Sequence, residues 1–275
     1  MKIAVVGLGL IGGSFCRAIK KYTDYSCAGL DCNLEVIKAA LNDNVIDEGM
    51  EPEALCDKDL VIICLYPDET VSFIKEHAEL FKEGSIVIDV CGVKEAITEN
   101  IPGVLEKRGV TFIGTHPMAG REFSGYENSQ ADLFKNASFI ITPFSNTQAE
   151  KVRVIESFAC QIGFCDIVVT TPQLHDRIIA FTSQLAHVVS NAYVKSPTLK
   201  DKNGFSAGSF GDLSRVAQLN EKMWSSLFLL NRDNLLYEIE NIIEQLGKYK
   251  KAIEEEDEKE LQRLLKEGSD LKKKA

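Results

Sequence analysis

Apolar residues follow two rhythms along this chain. Up to Thr171, short runs that are apolar throughout alternate with stretches whose apolar residues recur every three or four positions. KIAVVG (2–7), SCAGLD (26–31), DLVIICLY (59–66), SIVIDV (85–90), VTFIGTH (110–116), SFIITP (138–143) and DIVVTT (166–171) read as strands. IGGSFCRAIKK (11–21), LEVIKAALNDN (34–44) and ETVSFIKEHAELF (69–81) read as the helices between them. Strands without a polar face need cover on both sides, which indicates a parallel sheet with crossover helices on each face. TQAE (147–150) has the form of a capping box and predicts the start of a helix through KVRVIESFACQIG.

Beyond Pro172 the strand rhythm stops. HDRIIAFTSQLAHVVSNAYV (175–194), parts of 207–219 and most of 223–253 have helical spacing. SPTLKDKNGFSAGSFG (196–211) has the Ser, Gly and Asn density of a loop, placed over any crevice between two halves. The tail, DEKELQRLLKEGSDLKKKA, predicts an amphipathic helix stopped by Gly268, its leucines packing on the parent domain or on a second subunit. Asp176 is expected to cap the helix it opens. The fold class expected is therefore an α/β domain over 1–168 followed by an all-α domain over 169–275.

With 275 residues the chain exceeds the usual ~100–200 of one domain, which agrees with two halves sharing a crevice. A net charge of −10 argues against a nucleic-acid partner, since phosphate binding needs a basic face. The eight cysteines include no CxxC pair, so neither a disulfide framework nor a zinc site is expected, and no metal is assigned. MKIAVVG enters a strand pattern at once and no apolar run has the length of a membrane span, so the expected location is the cytoplasm, with no membrane partner.

The first strand runs into GLGLIGG (7–13), which holds GxGxxG as Gly7, Gly9 and Gly12. The pattern alone is weak, but here it follows a strand, opens a helix, and has Asp31 at the end of the next strand. This is the arrangement of a Rossmann-type dinucleotide site. Gly7 serves the tight turn, Gly9 the approach of the pyrophosphate, and Gly12 the packing of helix on strand. Leu8, Leu10 and Ile11 complete the loop, whose amides and helix N-terminus face the phosphates. Asp31 would accept from the ribose hydroxyls and repel a 2′-phosphate, and CNLEV after it has no Arg or Lys, so NAD is expected over NADP. The first half lacks room for a typical flavoprotein insertion.

The substrate must come from other residues. His116, in THPMAGREFSG (115–125), ends a strand in the second half of the sheet, on the side where such folds bind ligands. An imidazole there can accept the proton of an alcohol while its carbon loses hydride; a loop histidine bonded to backbone is the plainer account.

GLGLIGGS, HPMAG, SQLAH (183–187) and SRVAQLNEKMWSSLFLLN (214–231) occur in this order, and together they resemble the prephenate/arogenate dehydrogenase family of tyrosine biosynthesis. The resemblance implies NAD-dependent oxidative decarboxylation of prephenate, with His116 accepting the ring hydroxyl proton. Arg215 matches the family's substrate arginine, whose fork suits a carboxylate. His187 matches a histidine near the substrate side chain, although alone it reads as a helix histidine at a domain interface. Trp224 lines the pocket or packs in the core. Arg121 and Glu122 follow HPMAG. Glu122 counts among the substrate-binding candidates, while Arg121 reaches a substrate carboxylate, pairs with Glu122, or faces solvent. A homodimer through the helical half is implied as well.

Three positions depart from the family pattern. Gly92, in CGVK (91–94), stands where a serine is usual, Gly211 stands where an arginine is common, and Ala186 stands where proline is frequent. The first leaves recognition of the ring hydroxyl to water, the Cys91 thiol or His116 alone. Arogenate dehydrogenase is the alternative within the family, a β-hydroxyacid dehydrogenase-like enzyme a more distant one, and a non-catalytic NAD-binding sensor the alternative from another class.

Overall fold

The computed structural model describes residues 1–121, 123–205 and 208–274. Eight strands form one sheet: β1 (Lys2–Val6), β2 (Ser26–Leu30), β3 (Glu48–Gly49), β4 (Leu60–Ile63), β5 (Ile86–Asp89), β6 (Thr111–Pro117), β7 (Ser138–Thr142) and β8 (Asp166–Val169). Their order is β3-β2-β1-β4-β5-β6-β7-β8. The helices of this half are α1 (Leu10–Tyr22), α2 (Leu34–Asn42), α3 (Pro67–Glu76), the short α4 (Glu95–Thr98) and α5 (Pro102–Glu106), and α6 (Ala149–Gln161).

Successive strand residues feed opposite faces. Ile3, Val5, Ile62 and Ile88 pack with Phe15, Phe134 and Phe158 on one side. Ala4, Val6, Val61, Ile63 and Val87 pack with Ile74, Leu105 and Phe112 on the other. Two cores, one per face, are why these strands read as apolar throughout.

The expectation of a wholly parallel sheet is corrected at one joint. β6 runs parallel to β5 over Thr111–Ile113, and its second half pairs with β7 antiparallel, His116 opposite Ile140. Among the described residues no α-helix joins β6 to β7. The connection instead packs Tyr126 and Phe134 against α1, so the chain re-enters the sheet from the far end. β3, only two residues long and without an apolar run, gave no signal; it pairs with Ala28 and Gly29.

The second half is helical: α7 (Pro172–Ile179), a π-helical turn (Ala180–Leu185), α8 (Ala186–Tyr193), α9 (Gly208–Ser214), α10 (Glu221–Leu230), α11 (Arg232–Glu254) and α12 (Glu258–Lys272). Two capping expectations fail locally. The box at Thr147 does not form, because α6 is capped at Gln148 without a side-chain bond. Gly268 lies inside α12, where the Lys266–Asp270 pair bridges it and the Arg263–Glu267 pair braces the turn just before it. Such pairs and the neighbouring turns outweigh a glycine cost of about 1 kcal/mol. No helix among the described residues is long and apolar enough to cross a membrane.

Candidate active site

The glycine loop has the geometry its spacing predicts. Gly7 sits at φ +86°, and a Cβ there would lie 2.6 Å from the Cys64 carbonyl oxygen; a Cβ on Gly12 would lie 1.8 Å from the Gly7 oxygen. Both glycines are thus required by close backbone approach. A Cβ on Gly9 would meet nothing within 4 Å. Gly9 caps the 13-residue helix α1 without a side-chain bond, and the first turn holds no acidic residue. Such a terminus suits an anion such as pyrophosphate. Leu8 enters the core with its side chain and takes part through its amide, which donates to Asp31 Oδ2 at 2.7 Å. The other oxygen of Asp31 accepts from Asn33 N at 2.8 Å. Each carboxylate oxygen keeps a second lone pair for a ribose hydroxyl.

On the far side of β1, at the ends of β5 and β6, a buried ion pair fixes two strands. Lys94 Nζ donates to Asp89 and to the Thr115 carbonyl oxygen, the latter at 2.6 Å, and both charged side chains are fully buried. Asp89 accepts further from Cys91 N at 2.9 Å and Thr115 N at 3.2 Å. His116, the next residue on β6, is therefore held on a strand that is clamped on one side and paired to β7 on the other.

His116 Nδ1 lies 2.9 Å from His175 Nε2, and His175 Nδ1 lies 2.6 Å from Asp176 Oδ1. Asp176 does not cap its own helix as expected. Thr171 does that, accepting from Leu174 N. The Asp176 carboxylate instead reaches the sheet domain, accepting from Lys94 N at 2.8 Å and Glu95 N at 2.9 Å at the start of α4. It is therefore tied to both halves of the chain. A carboxylate accepts only, so His175 donates from Nδ1 and receives at Nε2. His116 then donates from Nδ1, and its Nε2 is left as a lone pair. Burial pushes the His116 pKa well below the usual imidazole value, with His175 and the Lys94 charge adding to it. Burial also lowers that of His175, against the pull of Asp176. Both rings are neutral near pH 7.

The other predicted side chains lie along the helical wall. His187 stands on α8, donates from Nδ1 to Ser183 O at 2.8 Å, and lies against the Trp224 ring at a centroid distance of 3.9 Å. Burial lowers its pKa, and the Arg215 charge adds to this, which places that guanidinium nearby. One turn beyond Trp224, Leu227 is the side chain that a Cβ on Gly92 would touch, at 3.6 Å, with His116 Cε1 at 3.9 Å. Gly92, Leu227 and His116 are thus neighbours. Cys91 does not stand in for the missing serine: its thiol turns to Leu65 O and Thr70, and burial raises its pKa. Arg121 is exposed, and Glu122 lies outside the described residues. His175, the changed task of Asp176, the Asp89–Lys94 pair and Leu227 are the members that sequence reasoning missed. The adjacent His and Asp at a helix start were the one available signal.

A nucleotide loop at one end of a mostly parallel sheet, faced by a helical half that meets it at a histidine line, defines the class of two-domain dinucleotide-dependent dehydrogenases. Within that class, the prephenate dehydrogenase nucleotide-binding domain matches residues 15–165, and the prephenate dehydrogenase dimerization domain matches residues 171–267. The chain belongs to the prephenate dehydrogenase family. It is 30% identical to the prephenate dehydrogenase of Bacillus subtilis, over 98% of this chain and 75% of that protein. It is 31% identical to the cyclohexadienyl dehydrogenase of Zymomonas mobilis, over 93% of this chain and 89% of that protein. A solved prephenate dehydrogenase of A. aeolicus, in complex with hydroxyphenyl propionate and NAD+, superposes with a TM-score of 0.88 at 28% identity, covering 100% of this chain and 98% of that one.

Proposed function

We propose that this chain carries out the NAD-dependent oxidative decarboxylation of prephenate to 4-hydroxyphenylpyruvate, a step of tyrosine biosynthesis. The observation that carries the reading is the line His116–His175–Asp176, which leaves a neutral base with its Nε2 free. NAD, held by the Gly7–Gly12 loop and Asp31, would supply the hydride acceptor for the carbinol carbon. The hydroxyl proton passes to His116 Nε2 as that carbon is oxidised. The ring carboxylate leaves as carbon dioxide, and the electron pair of the broken bond moves through the ring to the oxygen, which takes back a proton as a phenol. Aromatisation makes the step effectively irreversible.

Arg215 pairs with a substrate carboxylate. His187 and Trp224 flank the side chain, and Glu122, by its place after HPMAG, belongs to the same set. Gly7, Leu8, Gly9, Leu10, Ile11 and Gly12 hold the pyrophosphate, and Asp31 takes the ribose hydroxyls. NAD is favoured over NADP because a 2′-phosphate would meet the Asp31 carboxylate. Residues 1–168 form the nucleotide unit and 169–275 the substrate and dimer unit.

A homodimer through the helical half is supported by what that half leaves uncovered. From Asn191 to Leu230 no described residue is buried, although the segment includes α9 and α10. On α11, Tyr237, Ile243 and Leu246 are each at least 60% exposed. Helices with apolar faces this open need cover.

A second reading, arogenate in place of prephenate, has one observation in its favour. His187 spends its Nδ1 proton on Ser183 O, so its Nε2 is an acceptor, which suits an ammonium group better than a keto oxygen. The test is NADH formation with prephenate and arogenate side by side, each with NAD and with NADP. Turnover with NAD and one or both substrates is expected; tight NAD binding with no turnover on either would leave a non-catalytic nucleotide sensor.

A further inference from the structure

One helical rod carries both histidines of the helical wall. His175 sits on its first half and bonds to His116; His187 sits on its second half and stacks on Trp224. The two are twelve positions apart. At about 100° per residue, twelve steps of a regular α-helix leave their side chains about 120° apart. If one faced the crevice, the other would face away.

The rod is not regular. Between the two histidines, Ala180–Leu185 is π-helical. A π-helical turn takes up one extra residue without advancing the helix, so the separation acts as eleven steps. Eleven steps leave the side chains only about 20° apart. The contacts agree: Leu227, one turn from the Trp224 that His187 touches, lies beside Gly92 and His116.

The wide turn is also anchored. Gln184 within it is buried; its Nε2 donates to Leu227 O at 3.3 Å, and its Oε1 accepts from Asn231 Nδ2 at 2.9 Å. The same Asn231 amide donates to Asp176 O at 2.8 Å. His187 itself bonds to a carbonyl of the turn, that of Ser183. The turn is therefore tied to the residue that ends the His116 line and to the helix that carries Trp224.

We infer that the π-helical turn is a positioning device, which brings His175 and His187 onto one face so that a single helix serves both the proton-accepting line and the substrate side chain. The inference rests on the proposed reaction and adds to it the residues that set its geometry. Thr182, exposed and inside the turn, can be deleted to restore α-helical phase.

The test compares wild type, a Thr182 deletion, His187→Asn, and the two combined, in steady-state assays with prephenate and arogenate. The deletion is expected to leave NAD affinity unchanged and to raise KM by about tenfold or more, the scale of one lost hydrogen bond to a charged group. His187→Asn is expected to cost KM in the wild type and nothing further in the deletion, because the ring has already left the crevice. An unchanged KM in the deletion, or an equal cost of His187→Asn in both backgrounds, overturns the inference. If the deletion fails to fold by circular dichroism, or if the wild type turns over neither substrate, imidazole 15N NMR of the wild type with NAD and hydroxyphenyl propionate decides. Shifts at both His175 and His187 support the common face, and a silent His187 removes it. Absent turnover in the wild type counts against the reaction, whereas additive KM costs in an active wild type count against the turn alone.

Discussion

His116 and His175 meet nitrogen to nitrogen, Nδ1 to Nε2 at 2.9 Å, although one belongs to the sheet and the other to the helical half. The contact fixes a tautomer. With Asp176 accepting at the far end, each proton in the line is donated toward Asp176, and the lone pair is left on His116 Nε2. The tautomer of His116 is thus set by two residues of the helical half, His175 and Asp176.

His175→Ala should therefore lower kcat more than it raises KM. The surviving imidazole can take either tautomer and loses its orientation, so a fall of about 10–10² is expected, below the 10²–10⁴ typical of losing a general base. Steady-state kinetics with NAD saturating checks this; an unchanged kcat would mean that the His116 tautomer is set by something else.

Lys94→Met should destabilise the fold by about 3–5 kcal/mol, because it leaves the Asp89 charge buried without its partner. Urea unfolding measures it. A double replacement of Asp89 and Lys94 by apolar residues of similar volume should recover much of that loss, while activity stays low because the Thr115 contacts that hold the His116 strand are gone.

Stability should fall with acid below the ordinary imidazole value of about 6.5. Burial lowers the pKa of His116 and of His175, so the unfolded chain binds protons that the folded chain does not. Both states are neutral above that pH and the histidines then contribute no slope. As pH drops from about 6.5 toward the folded values, each histidine removes up to about 1.4 kcal/mol per pH unit. Denaturation at a series of pH values, comparing wild type with His116→Asn, should show a shallower acid slope in the variant; equal slopes would mean that His116 titrates normally in the fold.

Much of the fold was legible because local chemistry repeats at short range. Seven of the eight strands announce themselves as apolar runs, and the glycine loop follows from close approaches at Gly7 and Gly12 that no larger residue survives. What stayed hidden depends on long-range partners. Nothing near Pro117 says that the chain will cross to α1 and return antiparallel, because the cause is the burial of Phe134 against Phe15. The place of His116 at a strand end was readable, but its partner His175 lies fifty-nine positions away. Asp176 looked like a cap and is one, but for α4 on the other half of the chain. The π-helical turn leaves no mark in composition, since AFTSQL has ordinary helical residues.

The most direct test of the central claim is the pH dependence of kcat/KM for wild type and His116→Asn, with NAD binding measured alongside. Wild type should keep activity into acid below the ordinary imidazole range and then lose it as His116 protonates. The variant should bind NAD as before, lose about 10²–10⁴ in kcat, and show no such acid limb. Equal rates and the same acid limb in both proteins would contradict a base at His116.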